Sequence, residues 1–177
     1  MEALNSTPVV DGRRQDRWQD DRELSRWARE HGGLGDDAEE RRWLRAARDA
    51  LQATEWGTGD AAAEGGLRRV LAGVRKVPRP GTTAATAATS ATSATGIEWH
   101  LEAPRERRLA VELVLAWADV RERMPGRLRP CGNPECRLFL LDRSRANTAR
   151  WCSMKTCGNR LKARRHQARV RGASGSE

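Results

Sequence analysis

No run of about 18 apolar residues occurs in the chain, which excludes a helix that crosses a membrane. The first residues, MEALNSTPVVDGRR, lack the charged start and apolar core of a secretory leader, so a cytoplasmic location is expected. There is no glycine-rich phosphate loop and no nucleophile motif, and His31, His100 and His166 are scattered. Each histidine is expected to be a surface or packing residue, and the chain is not expected to be an enzyme. Acidic charge is scarce at one end. From Arg127 to Arg171 thirteen Lys and Arg face only Glu135 and Asp142, a balance of +11. The remainder therefore carries −2 of the net +9, and the cationic end calls for a polyanionic partner.

Cysteine is also absent except in one stretch of that cationic end. Cys131-x4-Cys136 and Cys152-x4-Cys157 place all four sulfur ligands within 27 consecutive residues. Two short loops, each delivering two soft thiolates, suit a tetrahedral zinc ion, and a reducing compartment favours metal over disulfides. One structural zinc is expected. A catalytic zinc is not, because four thiolates leave no open position for water.

The apolar residues before the cysteines recur at helical spacing. A helix is expected from Asp21 to His31, with Leu24, Trp27 and Ala28 on one face and Gly32-Gly33 as its stop. A second follows the capping pair Asp36-Asp37 and buries Trp43, Leu44, Ala47 and Leu51. A shorter one spans Leu67 to Val74 and is ended by Pro78 and Pro80. Residues 81–96 contain only Gly, Thr, Ala and Ser and read as a flexible loop, after which Ile97, Trp99 and Leu101 alternate as a short strand. Pro104 opens a longer helix, Arg105 to Arg123, with Leu109, Leu113, Ala116, Trp117 and Val120 inward. Trp18, Trp27, Trp43, Trp99 and Trp117 are available for the core.

Within the cysteine region, Arg137 to Leu141 reads as one strand, Asp142 to Asn147 as a turn, and Thr148 to Trp151 as the returning strand. Ser153 can cap a helix from Met154 to Val170 that carries Cys157 in its first turn. Phe139 and Trp151 are expected to lid the sulfurs. Gly158 suits a close approach to the knuckle backbone, and Asn159 a hydrogen bond across it. The expected fold class is α+β. A mainly helical domain over 1–126 precedes a small treble-clef-like zinc finger (hairpin plus C-terminal helix) over 127–171, and 172–177 form a tail. The helix after Cys157 carries Arg160, Lys162, Arg164, Arg165, Arg169 and Arg171, the candidate nucleic-acid contacts. A four-thiolate zinc site bears about −2, which one or two of these cations could offset. The remainder are left for a partner.

The string Arg150-Trp151-Cys152-Ser153-Met154-x-x-Cys157-Gly158-Asn159-Arg160-x-Lys162-x-Arg164-Arg165 closely resembles the CGNR zinc-finger family. Cys131-x-Asn133-Pro134-Glu135-Cys136 and Leu141-Asp142-Arg143-Ser144-Arg145 fit the same pattern. Leu4-Asn5, Asp11-Gly12-Arg13 and Leu24-x-x-Trp27 are similar to the ABATE domain that precedes this finger, a likeness interrupted by the Ala/Thr/Ser stretch. The resemblance implies a stress-associated bacterial transcription regulator whose finger binds DNA, with DNA favoured over RNA. An RNA- or ribosome-associated protein and a module docking an acidic protein are the alternatives. A lone finger has a small footprint, so sequence-specific binding to DNA would call for a homodimer.

Overall fold

The computed structural model describes residues 1–10, 12–58, 60–82, 95–164 and 167. A two-residue hairpin, β1 (Val9–Val10) with β2 (Arg13–Arg14), leads through a short turn into α1 (Asp21–Glu30), α2 (Ala38–Trp56) and α3 (Asp60–Leu71). A second hairpin, β3 (Arg75–Thr82) with β4 (Thr95–Glu102), precedes α4 (Arg108–Arg123). A third, β5 (Leu128–Pro130) with β6 (Phe139–Leu141), opens the cysteine region. The fold is α+β, with helices forming the core and three small antiparallel pairs around it. No described helix is long and apolar enough to cross a membrane.

Local chemistry explains the helix ends. Asp20 and Asp37 accept the Arg22 and Glu40 amides and cap α1 and α2. Gly32, at φ +82°, lets the chain leave α1 in the left-handed region. In the α1–α2 turn, the buried carboxylate of Glu40 accepts the amides of Leu34 and Gly35 at 2.9 and 2.8 Å. Leu24, Leu44, Leu51, Val70 and Val111 fill the centre. Each large aliphatic side chain so buried contributes about 1.5–3 kcal/mol. Arg48 is buried beside Trp18 and makes a bidentate pair with Asp16 at 2.6 and 2.9 Å, which ties the N-terminal segment to α2.

Several elements differ from the sequence expectation. α3 starts seven residues before Leu67, at Asp60, and stops at Leu71. Gly66 looks like a helix breaker, yet it is a contact point: a Cβ there would lie 2.8 Å from the Ala50 Cβ of α2. Pro78 and Pro80 lie inside β3 and do not merely end a helix. The ends of the 81–96 stretch are paired, Gly81 with Gly96 and Thr82 with Thr95, and 83–94 lie outside the described residues. On α4 the buried positions are Leu109, Ala110, Val111 and Val114. Leu113, Trp117 and Val120 pack only partly and Ala116 is exposed, so the inward face is rotated from the expected stripe. Trp99 is 65 % exposed and belongs to no core, whereas Trp56, absent from the expected set, packs edge-on against Phe139.

Candidate metal centre

The first cysteine pair sits in the loop between β5 and β6. The expected hairpin, 137–141 with 148–151, is not formed; β6 pairs backwards with Leu128–Pro130. The reason is a short knuckle in which the Cys131 amide donates to Leu138 O at 2.9 Å and the Cys136 amide to Asn133 O at 2.8 Å. Residues 148–151 run back beside this knuckle, joined to it by Gly132 N–H donating to Arg150 O at 2.8 Å. That carries Cys152 to the first pair. Ser153 then caps a wide π-type turn, Met154–Gly158, which holds Cys157, and helix continues over 159–164.

The structure brings the four sulfurs together. All lie within 4.8 Å of one another, none is in a disulfide, and Cys131, Cys136 and Cys157 are buried. Zn–S bonds of about 2.3 Å place tetrahedral sulfurs about 3.8 Å apart. The Cys136–Cys152 and Cys152–Cys157 separations are 3.7 and 3.6 Å. The donor set therefore fits zinc in both chemistry and spacing. Burial, with neighbouring sulfurs adding to it, pushes the Cys136 thiol up to about 11 and Cys152 higher still. Burial also opposes the Cys157 thiolate, but bonds from Asn133 and the other cysteines outweigh it and lower that group. Four thiolates here need a cation, and a divalent ion supplies that charge while cross-linking two chain segments. The closed set makes this a structural centre.

The sequence Cys-Gly-Asn occurs twice, at 131–133 and 157–159, and the two copies do different work. Asn133 is 1 % exposed. Its amide nitrogen lies 3.5 Å from Cys157 Sγ, and its side-chain oxygen accepts the Glu135 amide at 3.2 Å. Asn159, expected in the cross-knuckle role, is exposed. The glycines share one purpose. A Cβ on Gly132 would sit 2.9 Å from Arg150 O and 3.2 Å from the Trp151 ring, and one on Gly158 would sit 2.7 Å from Met154 Sδ and 3.2 Å from the same ring, so both glycines let the chain close around the indole. Gly158 thus makes room for Trp151 and Met154 rather than for the knuckle backbone. Trp151 and Leu138 pack on the cysteines as a lid. Phe139 does not join them; it points into the helical core.

Asp142 organises the return loop. Its carboxylate accepts the Ser144 amide at 2.8 Å and the Ala149 amide at 2.7 Å, and pairs with Arg129 at 2.8 Å. Arg129 also donates to Asn147 and Ala149 oxygens. The Ser144 hydroxyl first, then these amides and Arg129, outweigh burial and hold Asp142 down from the usual 3.8 to about 2. Because the folded value is depressed, the stabilisation is complete above the unfolded value and is lost as pH falls through the range 3.8 to 2. Asp142→Asn turns an amide nitrogen toward these donors. It should speed amide exchange at Ser144 and Ala149 and loosen zinc, by an amount constant between about pH 5 and 8. A gap that opened within that window would mean that a different group is responsible.

Of the predicted cationic contacts, Arg160 and Lys162 are exposed. Arg164 reaches back to Glu135 on the knuckle at 2.7 Å, which lowers that carboxyl and locks the helix to the first cysteine pair. Arg165, Arg169 and Arg171 lie outside the described residues, as do His166 and the tail 172–177. Arg137 covers Trp56, with its guanidinium 4.7 Å from the ring, and Arg150 covers Trp151 at 5.5 Å. Sequence reasoning missed Asn133, Arg129 and Asp142 as the supports of the site. A repeated Cys-Gly-Asn and a lone Asp in a basic stretch were the available signals.

Four clustered thiolate donors, three of them buried, on a knuckle and a helix start define a structural zinc module. Residues 127–170 match the family model of the CGNR zinc finger. The match covers the cysteine region and leaves residues 1–126 unmatched. No curated protein and no solved structure matches the chain.

Proposed function

We propose that the chain is a zinc-dependent nucleic-acid-binding protein, and that it acts as a bacterial DNA-binding transcription regulator rather than an enzyme, working in the cytoplasm. The observation that carries this reading is the charge of the zinc module, +11 over Arg127 to Arg171. Internal acids use little of it. Asp142 engages Arg129 and Glu135 engages Arg164. Arg143, Arg145, Lys155, Arg160 and Lys162 remain exposed on one small metal-stapled body. Cations held by a rigid scaffold lose little entropy on meeting phosphates, and release of counterions drives such binding. Arg160 and Lys162 are the contacts on the helix, and Arg165, Arg169 and Arg171 extend the same charge. The finger resemblance supports DNA over RNA. The ABATE-like features of 1–126 support a signal-receiving role for the helical part.

The test is a selection from random duplex DNA and from RNA by the zinc-loaded chain, with a chelated control. A recurrent duplex motif that disappears on chelation is expected. Retention without a motif, or preference for RNA, would shift the reading to a general polyanion or ribosome-associated binder. Arg160→Ala with Lys162→Ala should flatten the dependence of log K on log salt by up to about 2, near 0.9 for each phosphate that is no longer neutralised. An unchanged slope would remove both residues from the interface.

A further inference from the structure

The β3–β4 hairpin carries the two most exposed large apolar side chains among the described residues. Eight residue pairs join its strands, yet no other described helix or strand packs extensively on it. Ile97 is 71 % and Trp99 65 % exposed, and the register sets Pro80 and Pro78 directly opposite them on the same face. Leu101, at the base of that face, reaches the core. An isolated two-stranded hairpin is marginal in water, and an exposed edge bearing large apolar side chains invites another strand.

The two edges are not equivalent. Proline has no N–H, so the ladder to β4 runs through the residues alternating with Pro78 and Pro80, namely Val77, Arg79 and Gly81. The positions of Pro78 and Pro80 face outward, where the missing donors block pairing. On β4 the outward N–H and C=O groups belong to Ile97, Trp99 and Leu101, and none is a proline. We propose that this edge of β4 pairs antiparallel with β4 of a second copy of the chain, joining two hairpins into a four-stranded sheet across a two-fold axis.

Charge selects both the occupant and the register. With Trp99 opposite Trp99 of the second copy, Ile97 meets Leu101 and the apolar face becomes continuous. On the other face Glu98 meets His100 of the second copy, extending the 3.7 Å Glu98–His100 contact already present in each chain. A shift of one step either way sets Glu98 against Glu98 or Glu102 of the second copy, and like charges directly opposite are destabilising. The strand is thus complementary to itself in one alignment, as a two-fold contact requires. Arg75 and Arg79 share Glu102, and Lys76 is exposed without an acidic partner among the described residues, a charge too sparse to single out a polyanion as the occupant. This pairing does not depend on whether the finger binds nucleic acid.

Sedimentation equilibrium of the full-length zinc-loaded chain tests it. The expected mass is twice the 19.7 kDa of one chain. Ile97→Pro removes an outward donor and leaves the ladder to β3 intact; it should give monomers with unchanged zinc content and helical signal. His100→Glu should weaken the dimer roughly tenfold through its two symmetry-related pairs, and adding Glu98→Lys should restore it. A wild-type chain that stays monomeric at every concentration overturns the proposal, as does a dimer indifferent to both changes. So would a monomeric chain whose fluorescence response to added DNA or RNA is lost in Trp99→Phe, which would assign this face to nucleic acid.

Discussion

Cys136→Ser should release zinc and dissolve the structure of residues 142–164, while helices α1–α4 and the β5–β6 ladder survive. The variant removes one of four ligands, and a serine hydroxyl is no substitute for a thiolate at neutral pH. Structural zinc supplies about 10–16 kcal/mol in small modules, far more than the half-buried Trp151 and Leu138 could replace. Residues 142–164 depend on that ion because their other ties are polar and gather at the two ends: Arg127 and Arg129 on Asp142 and its loop, the Gly132–Arg150 bond, the Asn133–Cys157 contact and the exposed Arg164–Glu135 pair. The β5–β6 ladder is held differently. Phe139 is buried in the helical core, and Asn5 clamps its backbone, donating to Phe139 O at 3.2 Å and accepting its amide at 2.7 Å. Metal analysis and amide exchange on the same sample read both halves of this result. One zinc per chain at wild-type affinity would remove Cys136 from the ligand set.

Phe139→Ala should have the opposite signature, weakening the helices and the metal centre together. The ring is 1 % exposed and meets Trp56 edge-on at a centroid distance of 5.4 Å. Truncating such a side chain costs about 3–5 kcal/mol, a large share of the stability of a domain this size. Leu128, on the paired strand, belongs to the same buried cluster, so the knuckle's base and the helices share one core. Denaturant unfolding followed by helical signal should shift to a markedly lower midpoint, and zinc should leave at lower chelator concentration. An unshifted helical midpoint would mean that the finger folds on its own. Trp151→Ala is the natural control, since that side chain packs on the cysteine cluster and not on the helical core, and it should affect zinc far more than the helices.

Much of the metal centre was legible because ligand chemistry resides in residue identity. Only cysteine supplies thiolates, and two evenly spaced pairs within a short span leave a folded chain few ways to keep them apart. The helices were legible for a similar reason. Asp20, Asp37 and the spacing of Leu24, Ala28, Leu44 and Leu51 act within a few residues, where backbone geometry sets the contacts. The support of the site was less legible. Asn133 and Asn159 occupy the same place in the same tripeptide, and only the approach of Cys157 to the knuckle makes Asn133 the buried one.

Three matters were decided by tertiary structure alone. Phe139 and Trp151 are both aromatic residues beside cysteines, but strand pairing with Leu128–Pro130 turns Phe139 toward α2, while Trp151 slides between Gly132 and Gly158. Pro78 and Pro80 read locally as breakers, yet a partner strand from beyond residue 94 accepts them where no N–H is needed. Arg164 reads as a free cation until the helix brings it to Glu135, 29 residues away. The sequence by itself determined the cluster of thiolate donors, the helices α1 and α2 and the charge, because those depend on side-chain chemistry and short-range geometry. Which aromatic covers the metal, which strand pairs with which and which cations stay free depend on neighbours distant along the chain, and only the folded arrangement supplies them.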